Sequence, residues 1–254
     1  IGLVRGGKSG NWNVKGWNMM LRPVLVLDSD EAYPDGKGKE YYLNLLVNES
    51  TPYHDAIPDM LKTYDPVTGL WPESPGYSFG TIQMLLDWAA PLKRAGIDII
   101  AGNPILQKAA MAVFPWMDDA ANMVVFGDSR GGSANFQTFE NLLAYYAGIT
   151  DKAGMEKVAS ALNKGISQKK YTRNNAGWIG LCTYTAAIPS VCTENNERAS
   201  YSPHHRFITM KNWEGDYKMM FNLYGGKKGY HLTPNGLALQ FYAYGYALAP
   251  DAAA

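Results

Sequence analysis

The apolar residues of this chain change their spacing once, and this change limits the folds that the sequence can adopt. Up to about residue 200 they recur every three or four positions, as in NMMLRPVLVLD (18–28) and EYYLNLLVNES (40–50). That period is typical of amphipathic helices. Beyond about residue 200, apolar and polar residues alternate, as in LALQFYAYGYALAPD (237–251), which is typical of antiparallel strands. The sequence therefore predicts an α+β fold in which the helices come first.

Proline- and glycine-rich loops, such as residues 63–80, separate the predicted helices. Further helices are predicted over 81–96, 104–117, 136–149 and 152–166, the first of them capped by Thr81 and ended by Gly96. Helices that pair through loops on one side are typical of helical hairpins arranged around a ring.

A domain boundary is predicted between about residues 195 and 202, where the period changes. We expect a helical domain over residues 1–198 and the start of an antiparallel β domain over residues 199–254. The β pattern is cut short, so we expect the remainder of the same polypeptide to complete that domain.

The charges do not indicate a nucleic-acid-binding protein, and the apolar runs do not indicate a membrane-spanning one. Lys and Arg number 23, as do Asp and Glu, so the basic excess of a nucleic-acid-binding protein is absent. No run approaches the roughly 20 apolar residues that span a bilayer. The 17 Tyr and 7 Trp residues suit grooves that stack on sugar rings, although packing in a Tyr-rich core explains them as well.

Cysteine usage leaves two readings open. Cys182 and Cys192 lie ten positions apart, so a local disulfide in an exported protein and two free thiols are both compatible with the sequence. Neither their spacing nor that of the histidines indicates a zinc site, and we predict no metal.

Two loops combine aromatic and polar residues that suit sugar binding. The first, SGNWNVKGWN (9–18), carries Asn11 and Trp12, and the second, GLWPESPGYSFG (69–80), carries Trp71, Glu73 and Tyr77. Asn can hydrogen-bond sugar hydroxyls or carboxylates, and prolines in the second loop would hold its acid and phenol in place. Alternatively, Trp12 packs against a helix and Glu73 caps the helix that follows.

Two further segments carry charged or titratable groups. In FGDSRGG (126–132), Arg130 could bind a carboxylate and Asp128 could orient it, and the segment lacks the spacing of a phosphate-binding loop. Near the end of the chain, His205 belongs to a segment expected to begin the first strand, and His231 lies four residues before Asn235.

Taken in order, these segments resemble the heparinase II/III-like polysaccharide lyases. DPVTGLWPESPGYSFGTIQMLLDW (65–88) resembles the family's D-G-x-W-x-E-x-x-x-Y loop before a helix, and VVFGDS (124–129) resembles its F-G-D-S turn. GNWN (10–13) resembles part of its toroid. HLTPNGLALQFYAYGYALAPD (231–251) resembles the start of its sandwich, where a H-x-H-x-D-x-x-x-F motif precedes a strand, a Gly turn and an Asp.

This resemblance implies an incomplete α/α toroid followed by the beginning of an antiparallel β-sandwich. It also implies β-elimination on an acidic, uronic-acid-containing polysaccharide by a periplasmic or secreted enzyme that needs no cofactor. His231 matches the first histidine of the sandwich motif and Asp251 its final aspartate. Thr233 and Asn235 replace a histidine and an aspartate that supply metal ligands in some members, so no metal is implied here.

The reaction needs a base, an acid and donors that neutralise the substrate carboxylate. We expect Tyr77 and His231 to act as base and acid, with Tyr201 as the rival of Tyr77, and we expect His231, Tyr77 and Arg130 to converge on one crevice between the two modules. The remaining roles are assigned as follows: Arg130, Asn11 and His205 neutralise the carboxylate, Glu73 orients them, and Trp12 and Trp71 stack on sugars.

Two other functions are compatible with the same residues. One is a glycoside hydrolase that uses Glu73 and Asp128, which would require their carboxyl groups to lie roughly 5 to 9.5 Å apart. The other is a non-catalytic glycan-binding protein. The one dense basic run, SQKKYTR (167–173), is modest, which favours an unsulfated uronate.

Overall fold

The computed structural model describes residues 3, 7–132, 134–146, 152–173, 177–190, 198–212, 214, 218–226, 229, 231–232 and 237–249. Within them the helices precede the strands. The α-helices are α1 (Gly10–Leu25), α2 (Lys39–Val47), α3 (Ile57–Met60), α4 (Pro75–Leu86), α5 (Ala89–Arg94), α6 (Pro104–Met111), α7 (Phe136–Tyr146), α8 (Lys152–Ser167) and α9 (Gly177–Thr183). Short 3₁₀ helices cover Asp30–Ala32, Leu61–Thr63 and Phe114–Trp116.

Helix α1 shows why the helical period of the sequence matters. Its buried apolar side chains are Val14, Trp17, Leu21 and Val24, which are three or four residues apart and therefore share one face. This face joins the main hydrophobic core. The Trp17 indole N–H donates to the carbonyl of Leu46 at 3.1 Å, which ties α1 to α2.

The strands form one five-stranded antiparallel sheet in the order in which they occur along the chain. They are β1 (Ala199–Ser202), β2 (Phe207–Asn212), β3 (Met219–Tyr224), β4 (Ala238–Ala243) and β5 (Tyr246–Ala249). Burial alternates along the central strands, since Phe207 and Tyr224 point towards the helices while Met210 and Leu239 are exposed.

The inner face of the sheet holds the segment that precedes the FGDS turn. The side-chain amide of Gln240 on β4 is hydrogen-bonded to both the backbone N–H and the carbonyl of Val125. The Phe126 ring packs between Phe207 and Tyr224, with ring-centroid distances of 4.7 and 4.8 Å. The sheet therefore fixes the position of the residues that follow Phe126.

The predicted α+β class is confirmed, and several element boundaries differ from the prediction. The segment 63–80 is not a loop throughout, because α4 begins at Pro75 and contains Thr81, so the prediction that Thr81 caps this helix is wrong. Proline at the first helical position suits this start, since its missing N–H would have no helical partner there. The predicted helix over 104–117 is divided into α6 and a 3₁₀ turn at Phe114–Trp116.

The region between the helices and the sheet contains the predicted domain boundary. The last helix ends at Thr183 and β1 begins at Ala199. The division into domains 1–198 and 199–254 stays a prediction. The expectation that His205 begins the first strand is wrong, because it lies in the turn between β1 and β2.

Across the residues that the structure describes, no helix combines the length and the apolar character needed to cross a bilayer. Cys192 lies outside those residues, so the disulfide with Cys182 stays a prediction.

Candidate functional site

His231, Tyr77 and Asp128 form a group where α4, the FGDS turn and the segment before β4 meet. The rings of Tyr77 and His231 are stacked, with their centroids 3.7 Å apart and their planes 14° from parallel. The other contact of the imidazole is its Nδ1, which lies 2.5 Å from Oδ2 of Asp128. Since a carboxylate oxygen accepts, Nδ1 carries the hydrogen and Nε2 is the basic nitrogen of the neutral ring.

This group is accessible from solvent. The side chains of His231 and Asp128 are 31% and 40% exposed, and Tyr77 is half-buried. His231 Nε2 makes no hydrogen bond with any residue that the structure describes. A substrate atom could therefore reach both the basic nitrogen of His231 and the phenol stacked on its ring.

Two serines hold the other oxygen of Asp128. The Ser74 hydroxyl donates to Asp128 Oδ1 at 2.8 Å, and the Ser129 hydroxyl donates to Ser74 Oγ at 3.0 Å. Ser129 Oγ in turn accepts the backbone N–H of Gly76 at 2.6 Å. Asp128 therefore orients His231 rather than Arg130, the partner expected from the sequence.

The backbone around His231 runs against the FGDS turn. The N–H of Asp128 donates to the carbonyl of His231 at 3.3 Å, and Gly127 approaches that same carbonyl. His231 has a φ of 57°, a left-handed conformation that costs energy in a residue with a side chain. The next residue, Leu232, is buried in the core and holds this turn in place.

Glu73 lies beside the group, at the N-terminus of α1. Its carboxyl accepts the backbone N–H of Asn11, and an oxygen lies 3.9 Å from the β-carbon position of Gly10. The pKa of Glu73 is raised, chiefly by burial; the Trp71 indole, His231 and the Asn11 N–H oppose the rise. Neither Trp71 Nε1 nor Glu73 Oε2 makes a hydrogen bond of normal geometry with the described residues. This burial suits Glu73 to position its neighbours.

His205 is fully buried beneath the Glu73 loop. Its Nε2 donates to the carbonyls of Trp71 and Glu73, each at 3.0 Å. The Ser202 hydroxyl lies 2.8 Å from its Nδ1 and donates to it in the neutral ring. Both nitrogens of His205 are engaged inside the protein, so His205 is not available for the expected role of neutralising a substrate carboxylate. It instead holds the loop that carries Glu73.

The other predicted residues are spread more widely. Trp71 is fully buried and packs edge-on against Tyr64, with 4.9 Å between ring centroids, so it offers no face to a sugar. Trp12 is 67% exposed, and its ring lies under the Lys15 ammonium. Tyr201 is exposed on β1, and the structure shows no contact between it and the group around His231.

Arg130 is exposed and makes no hydrogen bond or ion pair with the residues that the structure describes. Of the three side chains expected to converge, Tyr77 and His231 are therefore in contact and Arg130 is only in the same turn as Asp128. Asn235, Thr233 and Asp251 lie outside the described residues.

The surroundings of Tyr77 favour the protonated form of its phenol. The pKa of Tyr77 is raised above its ordinary value of 10.0 by burial and by the negative charges of Asp128 and Glu73. The phenol therefore keeps its proton at neutral pH. A protonated phenol stacked on an imidazole with a basic Nε2 is an acid–base pair.

Sequence reasoning did not single out Ser74 and Ser129. Ser74 could have been found from its place before Pro75, because serine followed by proline is a typical start of a helix. Ser129 carried no such signal, since its partner Gly76 is 53 residues away. Among the described residues, no three His, Cys, Asp or Glu side chains form a group that could hold a metal ion.

Neither a comparison with models of known protein families nor a comparison with curated protein sequences found a match to this chain.

Proposed function

We propose that this protein is a polysaccharide lyase that cleaves a uronic-acid-containing polysaccharide by β-elimination, as its resemblance to the heparinase II/III-like lyases implies. The observation that carries the proposal is the stacking of Tyr77 on His231, whose Nδ1 is bound by Asp128. It supplies a base and an acid side by side on an exposed surface.

In the proposed reaction, His231 is the base and Tyr77 is the acid. Nε2 of His231 removes the proton on C5 of the uronate, and the electron pair of that C–H bond forms the C4–C5 double bond. The C4–O4 bond breaks, and the departing O4 takes the proton of the Tyr77 phenol. The raised pKa of Tyr77 supports this assignment over the reverse one, because a tyrosine base would have to lose its proton first.

The carboxylate next to C5 must lose much of its charge before the C5 proton becomes acidic enough to leave. Asn11 and Arg130 are the proposed donors. Asn11 lies at the start of α1, where backbone N–H groups favour anions, and Arg130 is exposed in the turn that carries Asp128. Glu73 holds the start of α1 through the Asn11 N–H.

The same geometry favours elimination over hydrolysis by Glu73 and Asp128. Asp128 is already bound to His231 and Ser74, and Oε2 of Glu73 is buried. A hydrolase would need both carboxyl groups to face the scissile bond, one of them as an acid and the other as a base or nucleophile.

The outward face of the sheet supports the finer fold proposal, a β-sandwich joined to an incomplete α/α toroid. Apolar residues occupy two rows across that face, and Met210, Leu239 and Tyr201 are each about half exposed or more. Such a face is suited to packing against a second sheet. We propose that the remainder of the same polypeptide supplies it, and that the enzyme is periplasmic or secreted, where polymeric uronates are met.

The proposal is tested by incubating the protein with a panel of uronic polymers while ultraviolet absorbance reports unsaturated ends. Absorbance that rises with the wild type and not with His231→Ala supports elimination. New reducing ends without absorbance would show hydrolysis, and bound but intact polymer would show a binding protein; either would overturn the proposal. Ser167→Ala, which removes an exposed hydroxyl that donates to the carbonyl of Lys164, serves as the control variant.

A further inference from the structure

Helix α4 is capped by a residue from another part of the chain. Ser74 occupies the N-cap position, where a serine hydroxyl ordinarily accepts the N–H of the second or third helical residue. Ser74 makes no such bond. The N–H of Gly76, the second helical residue, is instead accepted by Ser129 Oγ at 2.6 Å.

The direction of the hydrogen bonds from this cap to His231 is determined at every step. The Gly76 N–H can only donate, so Ser129 accepts it and passes its own hydrogen to Ser74. Ser74 then gives its hydrogen to Asp128 Oδ1, and Oδ2 receives Nδ1–H of His231. Each hydroxyl has one hydrogen and the Asp128 carboxylate can only accept, so the chain cannot reverse without depriving Asp128 Oδ1 of the Ser74 hydrogen.

Both serines are buried, with 0% of Ser74 and 4% of Ser129 exposed. Water therefore has little access to replace either hydroxyl. Ser74 has two possible orientations: in one its oxygen would accept the Gly76 N–H as a normal cap, and in the observed one its hydroxyl donates to Asp128 and accepts no N–H of α4. Ser129 decides between them because it takes over the cap.

We propose that Ser129 is a positioning residue for His231: by capping α4 in place of Ser74, it frees the Ser74 hydroxyl to hold Asp128 in the orientation that binds the imidazole. This inference rests on the proposed function for its kinetic consequences, and its structural consequences are independent of any activity.

A double-mutant cycle tests the inference. In Ser129→Ala, Ser74 turns to cap Gly76 and leaves Asp128; in Ser74→Ala, Ser129 keeps the cap and Asp128 again loses its donor. Each single variant should lower kcat by about tenfold, as expected for one hydrogen bond, with KM unchanged. The double variant should be no slower than either single one.

For the melting temperature, in contrast to kcat, only the double variant should differ clearly from the wild type. Each single variant retains one hydroxyl at the cap and should melt close to the wild type, whereas the double variant has none and should melt several degrees lower. Ser167→Ala is the control for both measurements. Rate losses that multiply, or a Ser129→Ala variant with wild-type kcat beside a slowed Ser74→Ala, would overturn the proposal.

A third measurement needs no substrate. Nitrogen-15 NMR of the His231 ring should show the Nδ1–H tautomer in the wild type and a mixture of tautomers in both single variants. If the wild type proves unable to cleave uronates, this change still supports the positioning role and only the proposed function fails. An unchanged tautomer in Ser129→Ala, in an enzyme that does cleave, overturns the positioning role alone.

Discussion

The β-carbon position of Gly127 lies 2.1 Å from the carbonyl oxygen of His231, so no side chain fits between the FGDS turn and the segment that carries the imidazole. Gly127 also has a φ of 68°, which disfavours residues with a β-carbon. We predict that Gly127→Ala lowers the free energy of unfolding by about 3 kcal/mol or more, because it combines backbone strain with a clash. Denaturant unfolding measures the loss.

Gly132 provides a matched control in the same loop. Its β-carbon position has open space within 4 Å, so Gly132→Ala should change the free energy of unfolding by less than about 0.5 kcal/mol. Equal effects of the two substitutions would contradict the close approach of Gly127 to His231.

Tyr77→Phe keeps the ring that stacks on His231 and removes the proton that the phenol gives to O4 in the proposed reaction. We expect kcat to fall by about a hundredfold to ten-thousandfold, the usual contribution of a general acid, while KM changes little. Steady-state kinetics on the best uronic polymer measure both constants. Tyr246→Phe, on an exposed tyrosine of β5, is the control; full activity in Tyr77→Phe would remove the phenol from the reaction.

The pH dependence of kcat/KM should report the protonated phenol. Because burial and the charges of Asp128 and Glu73 raise the pKa of Tyr77 above 10.0, the phenol should not cause a loss of activity until the pH exceeds that value. Asp128→Asn removes one of those charges, lowers the pKa of Tyr77 and should move the alkaline limb to lower pH. Glu73→Gln should move it in the same direction. A limb that moves to higher pH in either variant would contradict the assignment.

Asp87, away from the candidate site, should make stability depend on pH. Burial raises its pKa from 3.8 to about 6, although the Asn141 amide donates to its carboxyl at 2.7 Å. The folded protein therefore holds this proton more tightly than the unfolded chain. The resulting stabilisation is complete below pH 3.8 and is lost as the pH rises to about 6, a decrease of about 3 kcal/mol.

Asp87→Asn should remove this dependence. The variant should be more stable than the wild type at pH 7 and gain nothing near pH 3.8, which unfolding curves at the two pH values would measure. A gain of the same size at both values would show that the titration of Asp87 is not its cause.

The helical and alternating periods predict the order of helices and strands because each period reflects burial on one face of a local element. Proximity of Tyr77 and His231 could be expected from the motifs of the resemblance. Their contact depends on residues far apart in the chain. Phe126 packs against the sheet and Gln240 binds Val125, and these two contacts bring the FGDS turn to the N-terminal end of α4. No local pattern encodes those contacts.

Burial explains why the roles of Trp71 and His205 differ from expectation. A loop rich in proline and glycine predicts exposed side chains, yet Trp71 is enclosed by Tyr64 and the loop backbone is bonded to His205. The sequence pattern gives only residue types and spacing, whereas this loop is buried by the turn between β1 and β2, which carries His205. Only the folded chain reveals it.

His205 is 134 residues later in the chain than Trp71, whose carbonyl it binds. Helices made early in synthesis can pack while the sheet is still being translated, but the Glu73 loop then lacks the imidazoles of His204 and His205, which bind its carbonyls. The candidate site is therefore completed last, when the strands dock against the helices. Conversely, a stress that detaches the sheet should release the Glu73 loop before the helices melt.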